Sequence, residues 1–125
     1  MTANRVLIAE DNTDIVRLLT TLLDHEADFE CAGSVGTTGE IPDAVESLAV
    51  DALVLDLQLA GESSVPFLTD CRARFPHLIV VVFSGHSSPA LITEVCARGA
   101  DDYLVKPNDL DVLIPRLRSM LKSRR

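Results

Sequence analysis

A chain of 125 residues and 13.5 kDa, 47% hydrophobic and 24% charged, predicts one globular domain over residues 1–125 and excludes disorder, collagen and coiled coil. Its longest wholly apolar run, Leu78 to Phe83, falls far short of the roughly 20 residues a spanning helix needs. Met1 to Arg5 opens no signal peptide, so a cytoplasmic chain without membrane contact is expected. The net charge is −8, and before residue 116 only six bases face all 19 acids, which makes the body a poor nucleic-acid binder.

The predicted elements alternate. Val6–Ala9 reads as a strand. Ile15, Leu18, Leu19, Leu22 and Leu23 then form one apolar helical stripe. Phe29–Val35 is more mixed and suits an edge strand. A weaker helix follows near Gly39–Ala49, with Pro42 in its first turn. Ala52–Leu57 is a nearly continuous apolar run, as in a strand buried on both faces. The third helix spans about Ser64–Phe75, with Ser64 as N-cap and Pro66 in the first turn. Leu78–Phe83 is the fourth strand. The fourth helix, about Pro89–Arg98, ends at Gly99 as a left-handed cap. Tyr103–Val105 is the fifth strand. The last helix carries Leu110, Leu113, Ile114 and Leu117 on one stripe, continued by Met120 and Leu121, with Asn108 or Asp109 as its cap. Pro115 inside that pattern predicts a kink, a wide turn or a late start, because an interior proline costs about 3 kcal/mol.

The five bases Arg116, Arg118, Lys122, Arg124 and Arg125 read as the last turns of this helix, where cations complement the macrodipole. A DNA-binding tail is the sharper alternative, but it rests on clustered bases alone. Cys31, Cys71 and Cys96 lack the spacing of a zinc site or redox pair and read as buried, reduced thiols.

Strands alternating with helices imply an α/β doubly wound (βα)5 three-layer sandwich around a five-stranded parallel sheet. In such sheets function gathers beyond the carboxyl ends of the strands. Glu10 and Asp11 follow the first strand, Asp56 stands near the end of the third, Ser84 follows the fourth, and Lys106 follows the fifth. Three crowded carboxylates repel one another and raise at least one pKa unless a cation joins them. Hard oxygen ligands in a small site suit Mg²⁺, and a carboxylate beside a bound phosphate is a ready nucleophile.

The runs Val6-Leu7-Ile8-Ala9-Glu10-Asp11-Asn12, Asp51 to Leu57, Val81-Val82-Phe83-Ser84-Gly85 and Gly99 to Pro107 together resemble the receiver domain of a bacterial two-component response regulator. The resemblance covers essentially the whole chain and implies a flavodoxin-like strand order of 2-1-3-4-5. It implies Asp56 as phosphoacceptor. Glu10, Asp11, Asp56 and the backbone carbonyl of Gln58 are implied as protein ligands of Mg²⁺. Ser84 is implied as the hydroxyl that moves toward the phosphoryl group, Lys106 as its ion-pair partner and Tyr103 as the aromatic switch. The Lys106–Pro107 bond is often cis in the family, which an X–Pro bond allows at low cost.

Further expectations follow from that resemblance. The phosphodonor is a sensor histidine kinase or a histidine phosphotransfer protein. The receiver speeds its own phosphorylation and slow dephosphorylation without being a conventional enzyme. The output is a downstream protein target or an effector domain, and the last helices offer a surface for a homodimer, altered by Pro115. In the family the positions of Gln58 and His86 influence how fast the phosphoryl group is lost, although His86 reads first as an exposed loop residue.

The chain also departs from the family's usual pattern. Ala60 stands where proline is common, Ser64 where glycine is common, and Ser84 where threonine is common. The competing functions are a receiver fold kept for phosphorylation-independent protein binding, and a flavin-binding protein of the same topology. Glu10, Asp11 and Asp14 after the first strand disfavour the latter, because they repel the phosphate of FMN.

Overall fold

The structure, a computed structural model, describes residues 2–124. In chain order the elements are β1 (Asn4–Ala9), α1 (Thr13–Asp24), β2 (Phe29–Val35), α2 (Ile41–Ser47), β3 (Ala52–Leu55), β4 (Gln58–Leu59), β5 (Glu62–Ser63), α3 (Val65–Arg74), β6 (Ile79–Ser84), α4 (Pro89–Ala97), β7 (Asp102–Val105) and α5 (Leu113–Ser123). The main sheet is parallel, with order β2-β1-β3-β6-β7. Counting its five strands alone, that is the expected 2-1-3-4-5.

Alternation along the strands builds two cores. Leu7, Leu53, Leu55, Val80 and Val82 face α2, α3 and α4 through Ile41, Val45, Leu68, Cys71 and Val95. Val6, Ile8, Val54, Val81 and Leu104 face α1 and α5 through Leu19, Leu23, Leu113, Leu117 and Leu121. Both faces of the sheet are therefore dry, which is why β3 and β6 read as unbroken apolar runs.

Several local expectations need correction. The α1 stripe rotates slightly. Leu19 and Leu23 are buried and Val16 packs partly inward, while Leu18 is 45% exposed. Asn12 caps α1, its side-chain oxygen accepting the N–H groups of Asp14 (3.0 Å) and Ile15 (3.3 Å). Pro115 is accommodated by a late start. Leu110–Val112 forms a 3₁₀ turn and α5 begins at Leu113. Pro115 thus falls in the first turn, where its missing N–H costs no helical hydrogen bond. Asp109 does not cap the helix; its carboxylate accepts the Val105 N–H (2.8 Å).

The stretch after β3 is not a plain loop. Gln58–Leu59 and Glu62–Ser63 pair antiparallel across Ala60 and Gly61, whose φ values are +53° and +78°. Two successive positive φ values make the tight turn that suits a two-residue hairpin. Gly61 takes this conformation freely, whereas Ala60 does so at about 1 kcal/mol.

The cysteines divide: Cys71 is buried, Cys31 half-buried and Cys96 exposed on α4. Burial pushes the Cys71 thiol up to about 11, so it is inert near neutral pH. Most of the basic end is engaged rather than free. Arg116 pairs with Asp102, Arg118 with Glu26 and Asp28, and Arg124 with Asp51. Arg125 lies outside the described residues.

Candidate functional site: an acidic cluster at the carboxyl ends of the strands

The sheet order brings the ends of β1, β3, β6 and β7 side by side, and the backbone continues the ladder just past them. The Asp56 N–H donates to the Ala9 carbonyl (3.0 Å), and the Lys106 N–H donates to the Ser84 carbonyl (2.8 Å). Glu10, Asp11 and Asp56 consequently converge, each offering a carboxylate oxygen within 4.8 Å of the others.

Lys106 enters from β7 and pairs with both Glu10 and Asp56, its Nζ lying 3.0 Å from Asp56 Oδ2. The rest of the site holds these groups in place. Asp56 Oδ1 accepts the Gln58 N–H (3.3 Å), Glu10 Oε2 accepts the Asn12 N–H (3.1 Å), and Asp11 Oδ2 accepts the Ala60 N–H (3.0 Å).

Three carboxylates less one ammonium leave two negative charges without a counter-ion among the described residues. The electrostatics follow. Burial raises the Glu10 pKa and the Asp56 charge adds to it, against the hydrogen bonds from Lys106 and Asn12. Burial alone would lower Lys106, but its hydrogen bonds to Glu10 and Asp56 prevail and its pKa rises. The donor set fits a small divalent cation: clustered hard oxygens with an excess charge of the matching size.

Ser84 is 1% exposed at the end of β6, and its Oγ accepts the His86 N–H (3.3 Å). Tyr103 lies inward on β7. Its hydroxyl donates to the His86 carbonyl (2.7 Å), and burial raises the phenol above its ordinary value. The His86 side chain is exposed. The Lys106–Pro107 peptide is cis.

Of the site residues expected from the sequence, Glu10, Asp11, Asp56 and Lys106 therefore meet at this rim, Gln58 reaches Asp56 through its N–H, and Ser84 and Tyr103 are joined to each other through the His86 backbone. Two contributors went unrecognised there: the Ala60 N–H, and Ser64, whose hydroxyl donates to the Asp56 carbonyl instead of capping α3. Both stand at the noted departures from the family pattern.

The family profile described as the response regulator receiver domain matches residues 6–118. The chain belongs to that family. It is the receiver domain of a two-component response regulator. The transcriptional regulatory protein PrrA of Mycobacterium tuberculosis is 34% identical to this receiver over 124 residues, 99% of this chain and 52% of PrrA. The receiver thus spans about half the length of that relative. Among solved structures, the signal receiver domain of the response regulator NarL from Mycobacterium tuberculosis superposes with a TM-score of 0.88 at 16% identity, covering 98% of both chains. The CheX–CheY–BeF3–Mg²⁺ complex of Borrelia burgdorferi matches with a TM-score of 0.85 at 21% identity, over 94% of this chain and 89% of that one. At such identities these likenesses bear on the fold alone. No helix among the described residues is long and apolar enough to cross a membrane.

Proposed function

We propose that the receiver is a phosphorylation switch with Asp56 as its phosphoacceptor. The observation that carries this reading is the packing of Glu10, Asp11 and Asp56 within 4.8 Å, with the Lys106 ammonium 3.0 Å from Asp56. A carboxylate oxygen of Asp56 attacks phosphorus. The bond from phosphorus to the donor's histidine nitrogen breaks, and its electron pair leaves with the imidazole. Glu10, Asp11, Asp56 and the Gln58 carbonyl would hold Mg²⁺, which supplies charge neutralisation for the incoming phosphoryl oxygens.

The remaining roles belong to the chain's own side chains. Lys106 exchanges part of its pairing with Asp56 for a phosphoryl oxygen. The buried Ser84 hydroxyl donates to another, which moves the β6–α4 connection. Tyr103 follows that movement, because its hydroxyl is tied to the His86 carbonyl in the same connection. The switch is thus a local charge event with a two-state surface as readout. The 125 residues act as one unit. The donor is a sensor histidine kinase or histidine phosphotransfer protein in the cytoplasm, and the changed surface engages a downstream protein or effector domain.

Intact-mass spectrometry after incubation with acetyl phosphate tests the reading. One phosphoryl group is expected with Mg²⁺, and none with Asp56→Asn. A folded protein that takes up no phosphoryl group would instead be a constitutive binding module.

A further inference from the structure

The hairpin after β3 touches the acidic cluster at two points. At its turn, the Ala60 N–H donates to Asp11 Oδ2 (3.0 Å). Just beyond its base, the fully buried Ser64 donates its hydroxyl to the Asp56 carbonyl, and its N–H to the Leu57 carbonyl (2.8 Å). We propose that this hairpin is a clip that positions the acidic cluster, acting through the Ala60 N–H and the Ser64 hydroxyl.

The electrostatics give the clip its purpose. Lys106 pairs with Glu10 and Asp56 but not with Asp11. Asp11 is exposed, and the charges of Glu10 and Asp56 push it toward solvent. The Ala60 N–H holds it by a charge-assisted hydrogen bond, the stronger kind. Ser64 acts on the other side of the cluster. With the Asp56 N–H on Ala9 and its carbonyl on Ser64, the backbone carrying the nucleophile is fixed at both ends.

The residue types agree. Proline, common where Ala60 stands, has no N–H and cannot take a φ of +53°. Glycine, common where Ser64 stands, has no hydroxyl. Each departure from the family pattern supplies the group that makes one of the two bonds. Ala60 and Ser64 are thus positioning residues, and this role rests on the reading of Asp56 as phosphoacceptor.

The test uses the whole chain with Ala60→Pro, Ala60→Gly, Ser64→Ala, Ser64→Gly and the Ala60→Pro/Ser64→Gly pair. In the metal-free protein the Ala60 amide should exchange at least about tenfold more slowly than an unstructured amide. Ala60→Pro should weaken Mg²⁺ binding, followed by NMR titration, about two- to tenfold, whereas Ala60→Gly, which keeps the N–H, stays within about twofold of wild type. Ser64→Ala and Ser64→Gly should lower the phosphorylation rate at saturating acetyl phosphate about two- to tenfold, with the half-saturating donor concentration unchanged.

A merely structural role would lower the urea midpoint and leave Mg²⁺ affinity and rate alone. A double variant that binds Mg²⁺ and reacts as wild type overturns the clip, as does an Ala60 amide exchanging at the unstructured rate. If wild type takes up no phosphoryl group, the reading of Asp56 falls, while Ala60 exchange and Mg²⁺ affinity still decide the clip.

Discussion

The two ends of the sheet treat charge in opposite ways. At the amino ends of the strands, cations and acceptors are matched closely. Arg5 pairs with Glu30 and donates to the Leu48 carbonyl (2.7 Å). Arg124 binds Asp51 and the His77 carbonyl (3.0 Å). Arg72 reaches the carbonyls of Gly99 (2.6 Å) and Leu78 (2.7 Å) and the carboxylate of Asp101 (2.7 Å). At the carboxyl ends, the Lys106 ammonium pairs with two of three clustered carboxylates and leaves Asp11 without a cation among the described residues. The strands and their packing are shared, so the fold does not impose the imbalance. The amino end uses charge to close the structure, and the carboxyl end keeps an excess that a cation or a reaction can relieve.

Disrupting the matched end should cost the most stability and leave the chemistry intact. Arg72→Ala strands several carbonyls and should lower stability by about 2–4 kcal/mol in urea unfolding. Gly99→Ala should act similarly, at about 2–3 kcal/mol. Gly99 has φ +129°, and an added Cβ would lie 2.9 Å from the Arg72 Cβ. Both variants should still take up a phosphoryl group at temperatures where they are folded.

Disturbing the unmatched end should give a smaller loss that depends on conditions. Lys106→Met leaves Glu10 and Asp56 unpaired and should cost about 2 kcal/mol at pH 7 without metal. Because the folded Glu10 pKa is already raised, the native state binds protons more tightly than the unfolded chain there. Stability from this group therefore rises as pH falls from the folded pKa toward the ordinary value of 4.5, and Lys106→Met should steepen that rise. Mg²⁺ at tenfold its Kd should add about 1.4 kcal/mol to the wild type, and Asp11→Asn should reduce that gain at the same Mg²⁺ concentration.

The smallest effect belongs to Asp28. Its hydrogen bond from Arg118 holds its pKa below the ordinary 3.8. Its contribution is therefore present above that value and is lost as pH falls through the folded pKa. Asp28→Asn should flatten the acid limb of the stability curve without changing the site.

The strands and the carboxyl-end cluster were largely legible in the sequence. Continuous apolar runs announced strands buried on both faces, and polar residues just after them make up the acidic cluster and its lysine. What escaped had physical reasons. The strands of the hairpin have two residues each, too short for any periodicity, and Ala60 adopts a backbone that its side chain does not advertise. Ser64 carries the usual cap residue, but its hydroxyl found a buried carbonyl instead. Leu18 fits the helical spacing of its neighbours, yet the stripe turns inward through Val16 and Leu19. Pro115 gave a true signal, and choosing among its three outcomes required the 3₁₀ turn over Leu110–Val112. The matched end was almost invisible, because most of its arginine bonds, such as Arg5 to the Leu48 carbonyl and Arg124 to the His77 carbonyl, link residues far apart in sequence.

The central claim is that the uncompensated end is where phosphate is received. The most direct test is to map the phosphoryl group by peptide mass spectrometry after reaction with acetyl phosphate, with Mg²⁺ present and with it chelated. The account predicts modification of Asp56 alone, lost on chelation. Modification at another residue, or at Asp56 without any need for the cation, would contradict it.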